Sequence, residues 1–364
     1  MPDRPILIVG LNLSGGIGND IVNWVHLFRD AGHPCSVALW KNEGHFAGRL
    51  PEGMRVITLG KSRFLAASRR LARILRENPS ATILVSQYKA GASAVLARWL
   101  ARTANRIVYR EPSMPRRYLN AYTLFRYYRL GLSRVDAALA QTPTAAAELS
   151  SLGIPADRIS LLPNLPPRRS RDEAAPPPPE AFAGDSPKLI TVGRLTREKG
   201  AERLIRAMPG LLRRFPGATL TIVGDGNLRP ELEALSTSLG LSDKIRFTGS
   251  VADPAPLLRE ADLFVTPSFY EGLSNALLEA LFAGRRVVST RAGGGMADFM
   301  RDLGAADCVI EDTDFERELV RVVAHALAKT RAEWEPVFNK LHENYGYDAV
   351  SQRLLAAVNP PHSR

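Results

Sequence analysis

Short apolar runs, each followed by a stretch of helical periodicity, recur along most of this 364-residue chain, and no other feature limits its fold so strongly. In the first half they fall at residues 6–9, 36–39, 83–85, 107–108 and 137–140. In the second they fall at 189–192, 220–223, 245–247, 263–266, 286–289 and 307–310. Runs this short and uniformly apolar read as strands buried on both faces, the habit of parallel strands covered by helices. Strand alternating with helix makes an open α/β sheet. Between the two series stand Pro166, Pro167 and Pro176 to Pro179, a stiff extended tether. The expected organisation is a first domain over 1–165, a linker over 166–187, a second domain over 188–335 and a final helical segment, 336–364. The length suits two cores better than one. Two doubly wound domains facing each other would place a ligand crevice between the carboxyl ends of their strands.

Charge is unevenly shared. Residues 1–165 hold 22 Lys and Arg against 10 Asp and Glu, a net +12, which leaves −1 for the rest of the +11 total. Part of the excess lies in 61–76, where Arg69, Arg70, Arg73 and Arg76 alternate with Phe64, Leu65, Leu71, Ile74 and Leu75. Another part lies in 110–134, where arginines mix with Tyr118, Tyr122, Phe125, Tyr127 and Tyr128. Basic residues beside exposed aromatics suit an anionic membrane surface or an anionic acceptor. A solvated arginine-rich face is the plainer reading of the same residues. Nucleic acid is also drawn to such charge, but none of the usual reader modules is present, so no nucleic-acid partner is expected. Cys35 and Cys308 stand far apart without metal spacing, which suits a reduced, cytoplasmic protein. No basic segment followed by a long apolar run opens the chain, and nowhere do about 18 apolar residues run together, so neither a secretion signal nor a membrane span is expected.

Two carboxylates eight residues apart, Glu271 and Glu279, mark the second half. From Ser274 onward strong helix formers follow a serine suited to an N-cap, which predicts Glu271 in a loop and Glu279 in the helix after it. Eight residues at helical rise span about 12 Å, roughly the reach from a sugar ring to the ribose of a nucleotide sugar. Both groups carry hydroxyls that a carboxylate accepts from. Glu279 lies among Leu277, Leu278, Ala280 and Leu281, where an acid without a partner is costly; alone, it reads equally as the polar stripe of an amphipathic helix.

This segment resembles the family 4 retaining glycosyltransferases of the GT-B type. Pro267-Ser268, Glu271-Gly272 and Glu279 keep that family's spacing, and Gly193-Arg194-Leu195 followed by Glu198-Lys199-Gly200 keeps the string at the front of its second domain. Ile222 to Gly226, Phe247-Thr248-Gly249, Ala261-Asp262 and Pro163-Asn164 also match. The likeness covers nearly the whole chain in order, and six short strings in sequence are far more specific than any one of them.

The resemblance implies a GT-B α/β fold of two Rossmann-like doubly wound domains facing across a cleft, with the final helical segment, 336–364, crossing back to the first domain. It implies transfer of a hexose or modified hexose from a UDP- or GDP-sugar to a glycan or lipid-linked acceptor at the inner face of a bacterial membrane. Arg194 and Lys199 would hold the diphosphate, Glu271 the transferred sugar and Glu279 the ribose diol. The backbone of Leu273, Ser274 and Asn275 opens the helix that bears Glu279, and a helix N-terminus is a ready anion site. Gly193, Gly249 and Gly272 would lie along the donor, while Gly15 and Gly16, after the first strand, would let the first domain close on its phosphates. The dinucleotide fingerprint itself fails here, because its third glycine would fall at Ile21. Glu111 lies near the acceptor or the anomeric carbon, as a base, an acceptor contact or a partner for an arginine. Ser274 stands where the family more often has glycine, and Gly293-Gly294-Gly295 departs from its usual Gly-Gly-x-Pro-Glu, with Asp298 in place of the acid. Asp312-Thr313-Asp314 spells the metal motif of another fold, but its position after the last strand reads as a solvent loop and N-cap. No metal and no other cofactor is expected. The competing functions are a nucleotide-sugar epimerase or phosphorylase on the same fold, and a non-catalytic basic protein that binds membrane or nucleic acid.

Overall fold

The computed structural model describes residues 4–44, 46–60, 64–113, 129, 131–168 and 180–360. The expectations placed on Tyr118, Tyr122, Phe125, Tyr127, Tyr128 and Pro176 to Pro179 lie outside them. The chain forms two compact units, residues 1–168 with 347–364, and residues 169–346.

In unit 1, β1 (Ile6–Gly10), α1 (Gly15–Asp30), β2 (Cys35–Leu39), β3 (Val56–Thr58), α2 (Phe64–Glu77), β4 (Thr82–Ser86), α3 (Tyr88–Ala101), β5 (Ile107–Arg110), β6 (Ala137–Ala140), α4 (Pro143–Ser151) and β7 (Ile159–Leu161) follow in order. The described strands form one parallel sheet in the order β3-β2-β1-β4-β5-β6-β7. Every residue of β1 and β4 is buried, as continuous apolar runs demand. The outermost strands β3 and β7 escaped the sequence reading because each has three half-covered or exposed residues and offers no run to find.

Unit 2 repeats the plan with β8 (Lys188–Val192), α5 (Ala201–Arg214), β9 (Thr219–Val223), α6 (Arg229–Ser238), β10 (Ile245–Gly249), α7 (Ala255–Glu260), β11 (Leu263–Thr266), α8 (Asn275–Phe282), β12 (Arg286–Thr290), α9 (Gly295–Asp302), β13 (Val309–Ile310), α10 (Phe315–Ala328) and α11 (Arg331–Tyr345). Its parallel sheet runs β10-β9-β8-β11-β12-β13. The last strand is shorter than the apolar run suggests, since residues 306–308 form a 3₁₀ turn ahead of it.

The return to unit 1 starts later than the expected residue 336. A capping box of Thr330 and Glu333 opens α11, whose Trp334, Val337, Phe338 and Leu341 are buried in the core of unit 2. The chain turns tightly at Gly346, where a Cβ would stand 2.3 Å from the His342 carbonyl oxygen. Only then does α12 (Tyr347–Val358) begin. It lays Tyr347, Val350, Leu354 and Val358 into the same cluster as Ile21, Val25 and Phe28 of α1 and Ile6 and Ile8 of β1. Burial of each such side chain contributes about 2 kcal/mol, which anchors the end of the chain to the first sheet.

Candidate functional site

In the second sheet β8 and β11 lie side by side, and their following helices lead to strands on opposite sides, β9 and β12. The loops after such a pair splay apart, and open α/β sheets bind ligands there. Both motif-bearing segments fall at this switch point: 193–200 after β8 and 267–275 after β11.

Backbone contacts lock the two segments together. The Phe269 N–H donates to the Glu198 carbonyl at 2.9 Å. Gly200 has φ +70°, and a Cβ there would lie 2.1 Å from the Pro267 carbonyl oxygen, so only glycine lets the turn approach so closely. The Lys199 ammonium then donates to Glu271 Oε1 at 2.6 Å, with side chains 25% and 14% exposed. The Ser268 hydroxyl donates to the other oxygen, Oε2, at 2.9 Å. A third loop braces the pair from β12: Thr290 Oγ1 donates to the Ser268 carbonyl at 2.5 Å, and the Glu271 N–H donates to Ala292 O at 3.0 Å. A Cβ on Gly295 would meet the Gly272 carbonyl oxygen at 2.5 Å. Ser268, Gly200 and the third loop were legible as motif letters but not as supports, because their partners are distant in sequence.

Gly193, Arg194, Lys199, Ser268, Glu271 and Ser274 line one small hollow of about 20 Å³, room for a single water. Arg194 is largely exposed there and reaches Glu198 Oε1 at 3.5 Å. Ser274 caps α8 as its position predicts, its Oγ accepting from the Leu277 N–H at 3.3 Å. Its own N–H is turned to Met296 Sδ at 3.4 Å. Of the amides of residues 273–275 expected to form an anion site, this one is engaged by α9, which packs against the loop. Gly272 and Leu273 are buried, and Asn275 and Glu279 are half-buried on α8. Gly249 ends β10 at φ +73° and accepts the Gly224 N–H at 2.9 Å. None of these five lines the hollow. On the flank of the loop, the Arg203 guanidinium is stacked between the rings of Phe269 and Phe315, at 4.4 and 4.0 Å.

Asp298 lies in the first turn of α9, 3.3 Å from Arg301. Residues 312–314 form a 3₁₀ turn in which Asp314 accepts the Arg317 N–H and caps α10. Among the described residues no three His, Cys, Asp or Glu side chains are grouped to hold a metal ion.

Unit 1 carries the remaining candidates. Gly15 and Gly16 form the first turn of α1 rather than a loop ahead of it, with Gly15 at φ +63°. The helix starts this early because Gly18, where a Cβ would lie 2.3 Å from the Leu13 carbonyl carbon, lets it rest on the preceding turn. Glu111, beyond β5, is only 3% exposed. Its Oε2 accepts from the Tyr109 hydroxyl at 2.5 Å and its Oε1 from the Ser113 N–H at 3.0 Å. Burial pushes its carboxyl up to about 7 against the pull of these donors and of Arg110. Arg110, also buried, is lowered by burial to about 10 and stays charged. It donates to the Glu111 carbonyl, not to the carboxylate, and to Asn164 Oδ1 at 2.7 Å, which also accepts from Gln141.

The alternation of arginine and apolar residues in α2 separates into two faces. Leu71 and Leu75 are buried, Phe64 and Ile74 half-buried, and Arg69, Arg70, Arg73 and Arg76 exposed. Leu65 alone of those apolar residues is exposed, at 52%. The sequence reading missed an exposed aromatic on α3, the helix that packs against α2: Trp99, 74% exposed. Arg76 donates to the neighbouring Leu100 carbonyl at 2.7 Å. No described helix is long and apolar enough to cross a membrane.

Two parallel α/β units, with cations, an acid and a helix N-terminus gathered at a switch point, define the fold as that of the GT-B glycosyltransferases. HepE of Anabaena in complex with UDP superposes with a TM-score of 0.79 over 96% of this chain and 98% of its own, at 19% identity. The model for "Glycosyl transferase 4-like domain" matches residues 15–165 and that for "Glycosyl transferases group 1" matches 186–329. Together they cover most of the chain, which belongs to this glycosyltransferase family. Among curated relatives, the lipopolysaccharide core biosynthesis glycosyltransferase LpsE of Rhizobium meliloti is 38% identical over 40% of this chain and 42% of its own length. LpsD of the same organism is 28% identical over 79% of each chain. The match thus spans less than half of LpsE and about four fifths of LpsD.

Proposed function

We propose that the protein is a retaining glycosyltransferase that moves a hexose or modified hexose from a UDP- or GDP-sugar to a lipid-linked or envelope glycan. The observation that carries this is the Lys199 and Glu271 pair, braced by Ser268 in the hollow that Arg194 and Ser274 also line. When the bond from the sugar C1 to the diphosphate oxygen breaks, negative charge gathers on the departing group, and fixed positive groups aimed at it lower the barrier. Lys199 supplies a compact ammonium and Arg194 a planar fork, with the start of α8 beside them. Glu271 accepts from a hydroxyl of the transferred sugar, and Glu279 takes the ribose diol. The acceptor oxygen bonds to C1 on the face the diphosphate leaves, and its proton passes to a departing phosphate oxygen, so no side-chain base enters.

Glu111, buried with the Tyr109 hydroxyl and the Ser113 N–H on its carboxylate, serves to position the end of β5. Gly15 and Gly16 leave the start of α1 open to close approach by phosphates, and Gly193, Gly249, Gly272, Leu273 and Asn275 shape the donor-side loops. Cationic side chains carry the diphosphate charge without a metal or other cofactor. UDP in the HepE structure and the lipopolysaccharide relatives support these donor and acceptor classes. Trp99 with Arg69, Arg73 and Arg76 supports peripheral contact with an anionic bilayer at the cytoplasmic face, with no nucleic-acid partner.

Nucleotide release from a panel of nucleotide sugars, with and without a lipid-linked core oligosaccharide, tests this together with the anomeric configuration of the product. Release that needs the acceptor, persists in chelator and retains configuration is expected. Sugar interconversion without acceptor would make the protein an epimerase. Salt-sensitive retention of RNA or DNA without nucleotide-sugar binding would make it a non-catalytic binder.

A further inference from the structure

We infer that Gln87 is a ligand-binding residue of unit 1, its side-chain amide placed to hydrogen-bond a hydroxyl of the acceptor glycan; this rests on the transfer reaction proposed above. Gln87 joins β4 to α3 with φ +76° and ψ 139°. Side chains with a Cβ rarely adopt that backbone, and such strain persists where the surroundings impose it, often at ligand sites. Glycine takes the same conformation without penalty, yet the position carries a long amide.

The amide has no visible structural duty. Gln87 stands at the N-cap of α3 but its side chain makes no cap hydrogen bond. Its Oε1 is buried without a hydrogen-bond partner, a state that few native polar atoms keep. The residue as a whole is half-buried.

Its place in the sheet gives the third observation. The β1 and β4 strands are neighbours, with Val9 opposite Val85, and the chain leaves them toward opposite ends of the sheet. This is the switch point of unit 1. Across β4 and β5, Ser86 pairs with Arg110, so Gln87 stands level with Glu111. On its other side the same register sets it level with Leu11, just ahead of the turn that leads to Gly15. An amide both donates and accepts, as a sugar hydroxyl does, whereas a phosphate calls for cations and N–H groups.

Thermal unfolding and steady-state kinetics of wild type and Gln87→Gly, with UDP- and GDP-sugars as donors and octyl hexosides as acceptors, test the inference. Gln87→Gly is expected to unfold at the same or a higher temperature, because glycine relieves the strained backbone. Its kcat/KM for the acceptor is expected to fall by about tenfold while the donor KM stays within about twofold. A lower unfolding temperature would mark Gln87 as a structural residue and overturn the inference. So would acceptor kcat/KM within about twofold of wild type in the folded variant, and that result would leave the transfer reaction standing. A wild-type protein that turns over no donor with any acceptor would defeat the transfer reaction itself, and this role of Gln87 with it.

Discussion

The Lys199 ammonium and the Glu271 carboxylate stand 72 residues apart in sequence and 2.6 Å apart in space. Neither motif explains the other until β8 and β11 become neighbours; then each segment supplies half of one ion pair. An acid held this way keeps one lone-pair direction on each oxygen for a ligand while its charge tempers the cation beside it. Removing either side chain should act on turnover, because the pair is most useful when charge develops on the leaving group. Lys199→Ala and Glu271→Ala are each expected to lower kcat by about 10²-fold or more, in steady-state assays on protein with unchanged circular dichroism. The double variant should lose little beyond the worse single variant, since the two act as one unit.

Gly200 makes the close approach of those segments possible. Gly200→Ala adds a methyl 2.1 Å from the Pro267 carbonyl oxygen at φ +70°. A loss of about 2–4 kcal/mol in urea unfolding is expected, with loss of turnover as the loop bearing Glu271 is pushed away. Gly32→Ala is the control: it has φ +78° but no atom within 4 Å of the added methyl. It should cost about 1 kcal/mol and leave turnover intact.

Glu111 makes stability depend on pH. Its carboxyl is raised from 4.5 to about 7 in the folded state, chiefly by burial. Below about pH 4.5 both states hold the proton and the folded form suffers no penalty. Between there and about pH 7 the unfolded chain releases its proton first, so stability falls as pH rises, by at most about 1.4 kcal/mol per pH unit. Chemical unfolding of wild type and Glu111→Gln from pH 4.5 to 8 measures this. The wild type should lose stability across the range relative to the variant. Parallel curves would mean that Glu111 titrates alike folded and unfolded.

Trp99, the most exposed of the large apolar side chains described, lies on α3 next in sequence to Leu100, whose carbonyl accepts from Arg76 of α2. Sedimentation with anionic phospholipid vesicles is expected to show Trp99→Ser binding about tenfold more weakly. Arg69→Gln with Arg73→Gln should weaken binding by about 1 kcal/mol per residue, with the effect fading in high salt. Equal binding by all three proteins would leave the bilayer contact without support.

What could be read in advance follows from where the information lies. The strands buried on both faces carry their own signal, so Ile6–Gly10 and Leu263–Thr266 stood out. Val56–Thr58 and Ile159–Leu161, with one face open, did not. Motif spacing marked Arg194, Lys199, Glu271 and Ser274, which the fold brings to one hollow. It could not show that the Ser274 amide turns to Met296, a contact made across 22 residues. Trp99 looked like one more apolar letter in a helix, because exposure is decided by what packs against the helix and not by the letter. The strained backbone of Gln87 leaves no trace in composition or periodicity.

Calorimetric titration of UDP and GDP into the wild type, Arg194→Ala and Lys199→Ala tests most directly whether this cluster receives a diphosphate. One of the two nucleotides should bind the wild type, with Kd raised by about 10- to 100-fold in each variant, a loss of about 1.4–2.7 kcal/mol. Binding of equal strength in all three proteins would contradict the assignment.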